Sequence, residues 1–362
     1  MDELIKAREE INRIDKEMAD LFCQRMEAVK SVAQYKKERG LPILDATREE
    51  AVIKKNSAFV GDDVLRSYYI NFLQNNMEIS RNFQSRLNSG MKVAFSGVPG
   101  AFAEVAAKKI FDGCNPVPYD SFKSAYDATL KGECDCVLLP IENSYNGDVG
   151  QVMDLAFFGS LYITGVYDIS ITQHLLAKEG TRPEDIKEVI SHPQALGQCA
   201  GYIKKMGYTK TEYSNTAVAA QFVANSDRKD IAAIASEESA KHYGLSVIER
   251  SINDSNSNTT RFAVFSRSTK NDRSSDKQFI MLFTVKNESG CLGKALSVIG
   301  ENGFNLRALK SRPTKELIWD YYFYAEGEGN ISTPAGDKML KELTEVCSHV
   351  KVVGSFEKEI SL

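Results

Sequence analysis

The sequence predicts three successive folds: an all-α segment, a two-lobed α/β segment and a small α+β segment. Apolar residues recur at helical spacing across residues 4–35. From residue 91 onward, short apolar runs alternate with helical stretches. Polar residues 88–90 and 268–276 separate these patterns, and a chain of 362 residues exceeds what one hydrophobic core usually supports. The predicted domains are therefore residues 1–87, 91–267 and 278–362.

The first segment carries helix signals and no strand signals. Its apolar stripe, in steps of three and four, predicts one long helix over residues 2–39. Asp45 can cap a second helix, and Gly61-Asp62-Asp63 precedes a third that ends near Leu87. Two short helices cannot cover so long a stripe, so a second copy of the chain is the expected partner.

Polar side chains interrupt this helical pattern. Arg25 lies on the apolar stripe, and Lys36, about three turns later, faces the same way. A buried arginine is costly unless it is paired, although a snorkelling arginine and an exposed lysine would be the simpler interpretation. More polar residues gather on the other two helices: Asp45, Arg48, Glu49, Ser80 and Gln84. Arg8 and Arg25 are separated by about 25 Å along one rod, so a site that uses both must take Arg8 from a second copy.

This pattern resembles the all-helical chorismate mutase family, whose dimers interleave long helices and share one arginine across the interface. The resemblance covers nearly all of residues 1–87. It implies that chorismate, a dicarboxylate, rearranges to prephenate without a nucleophile, because the site holds a folded conformer and stabilises charge on the ether oxygen. The family's pattern falls on eight positions: Arg8, Arg25, Lys36, Asp45, Arg48, Glu49, Ser80 and Gln84.

The resemblance also implies a role for each position. Arg25, and Arg8 from the second copy, would bind the two carboxylates, with Arg48 assisting nearby. Lys36 and Gln84 would donate to the ether oxygen. Glu49 would accept a hydrogen bond from the substrate hydroxyl, and Asp45 and Ser80 would support it.

The middle segment alternates predicted strands with helices. Strands are predicted at residues 92–95, 136–141, 161–167, 188–191, 231–235 and 261–266. This order favours a mainly parallel sheet in two lobes, and open α/β sheets bind ligands at strand ends. Three short polar sequences adjoin these strands: IENSYNG (141–147), SHPQALGQ (191–198) and NTTRF (258–262). Any one of them alone would indicate only a turn.

Together these sequences resemble the prephenate dehydratase family, over about residues 91–267. The resemblance implies a fold like that of periplasmic binding proteins and the loss of carbon dioxide and hydroxide from prephenate to give phenylpyruvate. Thr260 would supply the catalytic hydroxyl, as a donor to the departing oxygen, and Arg261 would bind a carboxylate. The prephenate pocket would also be lined by Asn143, Ser144 and Gln198.

Two features of this segment qualify the resemblance. Ala101 and Ala103 stand where family members carry hydroxyl side chains, which keeps open a weakened or arogenate-specific dehydratase. His174 and His192 are expected to make local hydrogen bonds and receive no catalytic role.

The last segment predicts a strand (279–285), a helix (292–301), two strands (305–310 and 318–324), a helix (336–347) and a strand (350–356). This is the ferredoxin-like βαββαβ order. The segment resembles the ACT domain, which pairs across subunits and binds amino acids. Lys310 reverses the charge of a glutamate in one family mark. The resemblance implies feedback inhibition by phenylalanine at an allosteric site. The residues of that site would be Gly290, Cys291, Leu292, Ser311 and Arg312.

Composition narrows the function classes. The 45 basic and 49 acidic residues leave no basic surplus for nucleic acid, no apolar run would span a membrane, and no secretory signal is visible. Seven scattered cysteines favour a cytoplasmic protein, and Cys134-x-Cys136 alone predicts no metal site. We expect an isomerase and lyase of phenylalanine biosynthesis that needs no cofactor. We expect it to form a homodimer, and the sequence does not distinguish a dimer from a tetramer made of two dimers. A non-catalytic, amino-acid-responsive regulator is the alternative.

Overall fold

The computed structural model describes residues 3–255, 258–314 and 320–362. The chain divides into two compact units, Met1–Lys92 and Val93–Leu362. The first unit contains three helices: α1 (Glu3–Glu38), α2 (Ala46–Ser57) and α3 (Asp63–Ser89).

The cap of α2 follows the prediction, and α3 begins with a cap of the same kind. An Asp45 carboxylate oxygen accepts the Arg48 backbone N–H at 2.9 Å at the start of α2, and Asp62 caps α3 through Leu65 N–H at 2.8 Å. The predicted first residue of α1, Asp2, lies outside the described residues. Helix α3 extends two residues beyond its predicted end and stops at Gly90, whose φ of 80° suits glycine.

The apolar stripe of α1 is exposed within the unit. Leu21 is 62% exposed and Ile11 is 56% exposed, while α1 buries Met26 and Ala33. Exposed apolar surface of this extent is typical of a protein interface. The chain's first unit therefore leaves open the face that the sequence predicts will meet a partner.

The second unit contains two sheets. Its elements up to residue 266 are β1 (Lys92–Ser96), α4 (Phe102–Ile110), β2 (Asn115–Tyr119), α5 (Phe122–Lys131), β3 (Cys136–Asn143), β4 (Gly147–Asp148), α6 (Gly150–Phe158), β5 (Tyr162–Ser170), β6 (His174–Ala177), a 3-10 turn (Pro183–Asp185), β7 (Glu188–Ser191), α7 (Pro193–Gln198), α8 (Ala200–Met206), β8 (Thr209–Glu212), α9 (Thr216–Asn225), β9 (Ile231–Ala235), α10 (Glu237–Tyr243), β10 (Ser246–Glu249) and β11 (Thr259–Ser266).

Both sheets are mixed, so the prediction of a mainly parallel sheet is wrong. In the first lobe, β11 runs antiparallel to both of its neighbours, β3 and β5. The second lobe has the order β10-β6-β9-β7-β8, in which β6 is antiparallel to β9 and to β10. The apolar runs indicate buried strands but carry no information on strand direction, which depends on how the chain crosses between lobes.

The C-terminal elements are β12 (Gln278–Thr284), α11 (Cys291–Glu301), β13 (Asn305–Pro313), β14 (Tyr321–Glu328), α12 (Pro334–Val346), β15 (His349–Phe356) and β16 (Ile360–Ser361). Their sheet order is β13-β14-β12-β15, with antiparallel pairing throughout. The predicted order of elements is present up to β15, although residues 318 and 319 of the predicted third strand lie outside the described residues.

The C-terminal strands continue the first-lobe sheet. Gly354 of β15 pairs with Ile163 of β5, and β16 also pairs with β5, so one sheet of eleven strands runs through both parts. A side chain at Gly354 would collide with the Ile163 carbonyl, so this close approach requires glycine. Among the helices of the described ranges, none combines the length and hydrophobicity that crossing a membrane requires.

Candidate functional site

A pocket of about 180 Å³ is enclosed by α1, α2 and α3, and we call it the helical pocket. Seven of the eight residues predicted for the mutase site line it. Arg8, the eighth, is exposed elsewhere on α1. The full lining is Arg25, Val29, Val32, Lys36, Ile43, Asp45, Arg48, Glu49, Val52, Met77, Ser80, Arg81 and Gln84.

Two cations of this pocket are held by uncharged oxygens. Arg25 Nη1 donates to Ser80 Oγ at 2.5 Å, and Ser80 Oγ donates to the Asn76 carbonyl at 2.6 Å. Lys36 Nζ donates to the Ile43 carbonyl at 2.6 Å. Burial lowers the pKa of Arg25, because the charged form loses hydration there. No carboxylate among the described residues takes part in these contacts, so both side chains are available to an anionic ligand.

Gln84 is available for a bound molecule. The residue is 7% exposed, and its Oε1 has no hydrogen-bond partner among the residues that the structure describes. Buried amides normally satisfy both ends of the group, and which end faces the pocket is set by its partners. The unmet atom is an acceptor, so it would be satisfied by a ligand hydrogen-bond donor, whereas a ligand acceptor would bond to Nε2 with the amide turned the other way.

The sequence prediction missed Arg81. Its Nη1 lies 2.6 Å from Oε1 and 2.5 Å from Oε2 of Glu49, in the wall of the helical pocket. Its position three residues before Gln84, on one helix face, would have revealed it. Four cationic side chains against two carboxylates leave the described lining with a formal charge of +2.

The second unit contains a larger cavity of about 660 Å³, which we call the central cleft. It is bordered by β3, β4 and β11 of the first lobe and by the starts of α4, α6, α7 and α9. Of the predicted prephenate residues, Asn143, Gln198 and Thr260 line it. Its polar lining includes Ser96, Asn143, Asn146, Gln151, Gln173, Gln198, Ser214, Asn215, Asn258 and Thr260.

The Thr260 hydroxyl is oriented by Asn143, its partner across β3 and β11. Asn143 Oδ1 accepts the backbone N–H groups of Tyr145 at 3.0 Å and Asn146 at 3.2 Å, which fixes the amide orientation. Asn143 Nδ2 therefore faces Thr260 and donates to its Oγ1 at 2.9 Å. Because the hydroxyl accepts this bond, its own proton remains free to be donated into the cleft.

A chain of amides continues behind Thr260. Asn258 Nδ2 donates to Gln198 Oε1 at 2.8 Å, and Gln173 Nε2 donates to the same oxygen at 3.4 Å. Gln173 is 3% exposed, and within the described ranges its Oε1 has no hydrogen-bond partner. This unmet acceptor at the cleft favours a ligand that brings a hydrogen-bond donor. Nothing in the local sequence around Gln173 points to this role.

Arg261 and Ser144 are not in the central cleft, contrary to the prediction. Neighbouring strand residues face opposite sides of a sheet, so Arg261 points away from the side that carries Thr260. Both residues line a second cavity of about 500 Å³, which we call the acidic cavity. Its lining is formed by Glu142, Ser144, Asp168, Thr259, Arg261, Arg307, Ala308, Lys310 and Glu326.

Four carboxylates surround Arg261 in the acidic cavity. It lies 3.1 Å from Asp168, 3.3 Å from Glu359, 3.4 Å from Glu142 and 3.5 Å from Glu326. Burial alone would lower the pKa of Arg261, but the Asp168 hydrogen bond and the other carboxylates outweigh it and raise that pKa. Arg261 is thus committed to protein carboxylates from both the first lobe and the C-terminal part.

Ala101 and Ala103 lie at the start of α4, in the wall of the central cleft. Ala101 is the residue before the first turn and offers no side-chain acceptor, and Val149 holds the same place before α6. Both helix starts therefore present backbone N–H groups and the positive end of a helix dipole to the cleft.

His192 makes the local hydrogen bond expected of it, whereas His174 bonds to a residue distant in the chain. His192 Nδ1 accepts the Gln194 backbone N–H at 3.3 Å, and His174 Nδ1 accepts that of Ser251 at 3.1 Å. Burial lowers the pKa of each, and nearby glutamates only partly offset that effect. Each imidazole is thus an acceptor for a backbone N–H, His192 within its own turn and His174 from a segment 77 residues later in the chain.

The predicted allosteric residues do not all share one cavity. Leu292 and Ser311 line a cavity of about 320 Å³, which we call the C-terminal cavity. Its lining is formed by Val285, Lys286, Asn287, Glu288, Leu292, Ser311, Asp320, Tyr321 and Phe323. Gly290 is the residue before α11, with a φ of 82°, and Cys291 packs on the C-terminal core. Arg312 instead pairs with Asp154 of α6 at 3.0 Å, because alternate β13 residues face opposite sides.

Family models and known proteins match both units. The model for chorismate mutase type II matches residues 7–85, and that for prephenate dehydratase matches residues 93–270. The arogenate dehydratase/prephenate dehydratase 2 of Arabidopsis thaliana is 33% identical over 285 residues, covering 76% of this chain and 74% of its own. A solved prephenate dehydratase from Arthrobacter aurescens, in complex with L-Phe, is 26% identical with a TM-score of 0.68, covering 74% of this chain and 90% of that one.

One relative matches from end to end. The bifunctional chorismate mutase/prephenate dehydratase of Aquifex aeolicus (strain VF5) is 31% identical over 367 residues, which cover 99% of each chain. Since this match includes both the helical pocket and the central cleft, the chain belongs to the bifunctional chorismate mutase/prephenate dehydratase family.

Proposed function

We infer that this chain is an enzyme of phenylalanine biosynthesis that rearranges chorismate to prephenate and then converts prephenate to phenylpyruvate. The observation that supports this function most strongly is that one chain contains two pockets of different chemistry. The helical pocket has a formal charge of +2 and suits a dianion, whereas the central cleft presents a hydroxyl donor, Thr260, among amides.

In the helical pocket the protein needs to bind and orient chorismate, because the rearrangement is internal to the substrate. The ether C–O bond breaks as a C–C bond forms, and negative charge grows on the ether oxygen. Arg25, fixed by Ser80, binds one carboxylate through its planar guanidinium. Lys36, anchored on the Ile43 carbonyl, and Gln84 donate to the ether oxygen. Their stabilisation increases as the charge grows, so it lowers the barrier.

We propose that the helical pocket is completed by a second copy of the chain. Arg8 lies outside the pocket of its own chain, and the exposed apolar stripe of α1 is a suitable surface for pairing. A partner packed along that stripe would bring its Arg8 to the second carboxylate of chorismate. The homodimer is then required for the first activity.

In the central cleft, prephenate loses carbon dioxide, and the electron pair released aromatises the ring as hydroxide departs. The Thr260 hydroxyl, whose proton is left free by the Asn143 bond, donates a hydrogen bond to the departing oxygen and keeps its own proton. The hydroxide takes a proton from solvent and leaves as water. The Gln173 acceptor is suited to the hydroxyl of the substrate before it leaves.

The central cleft recognises the substrate carboxylates without a cationic side chain. None of the described residues that line it is a lysine or an arginine. The starts of α4 and α6, preceded by Ala101 and Val149, supply backbone N–H donors and helix dipoles instead. Alanine at 101 keeps those donors free of a competing side-chain cap.

A second candidate substrate for this cleft is arogenate, which carries an ammonium group where prephenate has a ketone. The open Gln173 acceptor and the Asp148 carboxylate at the cleft would suit that cation. A relative named arogenate dehydratase/prephenate dehydratase adds weight to this option.

The experiment that tests the function is incubation of the full chain with chorismate, with separate assays on prephenate and arogenate. We expect prephenate and then phenylpyruvate to accumulate, and prephenate to be preferred over arogenate. Prephenate without phenylpyruvate, and no turnover of arogenate, would contradict the dehydratase assignment. No consumption of chorismate would leave the non-catalytic regulator as the better account.

We propose three domains, over residues 1–87, 91–267 and 278–362, of which the last is a ferredoxin-like ACT domain that binds phenylalanine. In the C-terminal cavity, Glu288 and Asp320 suit an ammonium group, Lys286 suits a carboxylate, and Leu292 and Phe323 suit an aromatic ring. The seven free cysteines are consistent with a cytoplasmic location.

Strand β13 provides the link between effector and cleft. Ser311 lines the C-terminal cavity, while Lys310, on the opposite face, contacts Glu142 at 3.3 Å and also Asp148. Asp148 lines the central cleft, and Arg312 holds Asp154 of α6, whose start also lines it. A shift of β13 on phenylalanine binding would therefore move cleft residues.

Replacing Lys310 by methionine is expected to weaken inhibition of the dehydratase by phenylalanine about fivefold or more, while phenylalanine binding changes little. The physical reason is that the ion pair transmits the shift of β13 but does not line the C-terminal cavity. Inhibition curves and calorimetry on the full chain measure the two quantities. The exposed Lys338, which pairs with Glu342 on α12, is the control position. Unchanged sensitivity in Lys310→Met would rule out this route.

A further inference from the structure

An ion pair in the helical pocket has no role in the mutase chemistry described above. Arg81 of α3 contacts both carboxylate oxygens of Glu49 on α2, at 2.6 and 2.5 Å. The two side chains are 30% and 26% exposed, and both line the pocket. The pair joins residues 32 positions apart, so it is neither a helix-surface pair nor a cap.

This contact differs from those of the other pocket cations. Arg25 and Lys36 bond to uncharged oxygens and keep their charge for a ligand. Arg81 instead pairs with the Glu49 carboxylate. Glu49 is also the residue suited to accept a hydrogen bond from the substrate hydroxyl. An ion pair that served stability alone would give little advantage over apolar side chains at a half-buried wall.

The chemistry of the substrate explains why Glu49 needs a partner. Chorismate enters as a dianion, and an unpaired carboxylate in the same pocket would repel it. An acceptor for the substrate hydroxyl is still required, because a hydroxyl buried without a partner weakens binding. Arg81 resolves this conflict, since it offsets the Glu49 charge while each carboxylate oxygen retains a lone pair for the hydroxyl.

We propose that Arg81 is a positioning residue that holds Glu49 toward the substrate hydroxyl and balances its charge against the chorismate dianion. The inference rests on the proposed mutase function and extends it to a residue that the family pattern does not include. Arg81 acts on substrate affinity, because the charges of Glu49 and of the substrate carboxylates do not change during the rearrangement.

The test is a double-mutant cycle on the full chain, with chorismate consumption as the readout. Arg81→Gln is expected to raise KM for chorismate about tenfold and to change kcat by less than about threefold. In a Glu49→Gln background Arg81 has no Glu49 charge to balance. There, adding Arg81→Gln is expected to change KM by less than about twofold.

Two further variants separate charge from other effects. Arg81→Lys keeps the charge and is expected to stay within about threefold of the original KM, because a single nitrogen of Arg81 makes both contacts with Glu49. Arg66 pairs with Asp63 on the same helix α3 but outside the pocket, so Arg66→Gln is the matched control and should leave both constants unchanged.

Three outcomes would overturn the proposal. They are an unchanged KM in Arg81→Gln, the same rise in KM with and without the Glu49 charge, and an Arg81→Lys variant as weak as Arg81→Gln. An unmutated chain that leaves chorismate intact would instead contradict the proposed mutase function, so the two failures are distinguishable.

Discussion

Replacing Thr260 by valine is expected to lower kcat for phenylpyruvate formation by about 100- to 1,000-fold, the usual effect of removing one well-placed hydrogen-bond donor. Valine keeps the shape and strand preference of threonine and removes the hydroxyl. The Asn143 amide, held by the turn at residues 145–146, would then face a methyl group. Absorbance assays with prephenate, and with chorismate for the mutase, measure the two activities separately.

The neighbouring residue provides the control for this prediction. Thr259 has the same side chain on the same strand but lines the acidic cavity, so Thr259→Val is expected to keep dehydratase activity within about threefold. Mutase activity should be unchanged in both variants, because the helical pocket lies in the other unit. If Thr260→Val forms phenylpyruvate at the original rate, the hydroxyl has no part in the reaction.

Features that depend on local sequence could be predicted, and those that depend on distant pairing could not. The Asp45 cap follows from residue preferences within one turn, and it is present. The pairing of Gly354 with Ile163 joins strands that are far apart in the chain, and no local sequence pattern predicts it. For that reason the continuity of the sheet between the first lobe and the C-terminal strands could not be predicted from the sequence.

The same distinction applies to the sites. The residues of the helical pocket lie on three helices whose spacing can be read directly, and seven of the eight fall together. Arg261 was misplaced because the resemblance grouped it with Thr260, although strand geometry sends adjacent side chains to opposite faces. Gln173 could not have been found, since its importance arises only from burial and an unmet acceptor.

Replacing Lys36 by alanine is expected to lower mutase kcat by about 100- to 1,000-fold, with KM for chorismate changed by less than about fivefold. The Lys36 ammonium, fixed by the Ile43 carbonyl, stabilises charge that develops on the ether oxygen only as the bond breaks. Lys37, the next residue on α1, is exposed and lies outside the pocket, so Lys37→Ala is the matched control. Unchanged turnover in Lys36→Ala would remove Lys36 from the reaction.

The same variant can test whether two chains build one site. If Arg8 acts across the dimer, a chain with Arg8→Ala and a chain with Lys36→Ala each form inactive pairs with themselves. In a mixed pair, one pocket combines an intact Lys36 with an intact Arg8, and the other pocket carries both defects. Random pairing on coexpression gives half mixed dimers, so about a quarter of full mutase activity is expected to return. Activity no higher than the average of the two variants would mean that Arg8 does not serve a neighbouring chain.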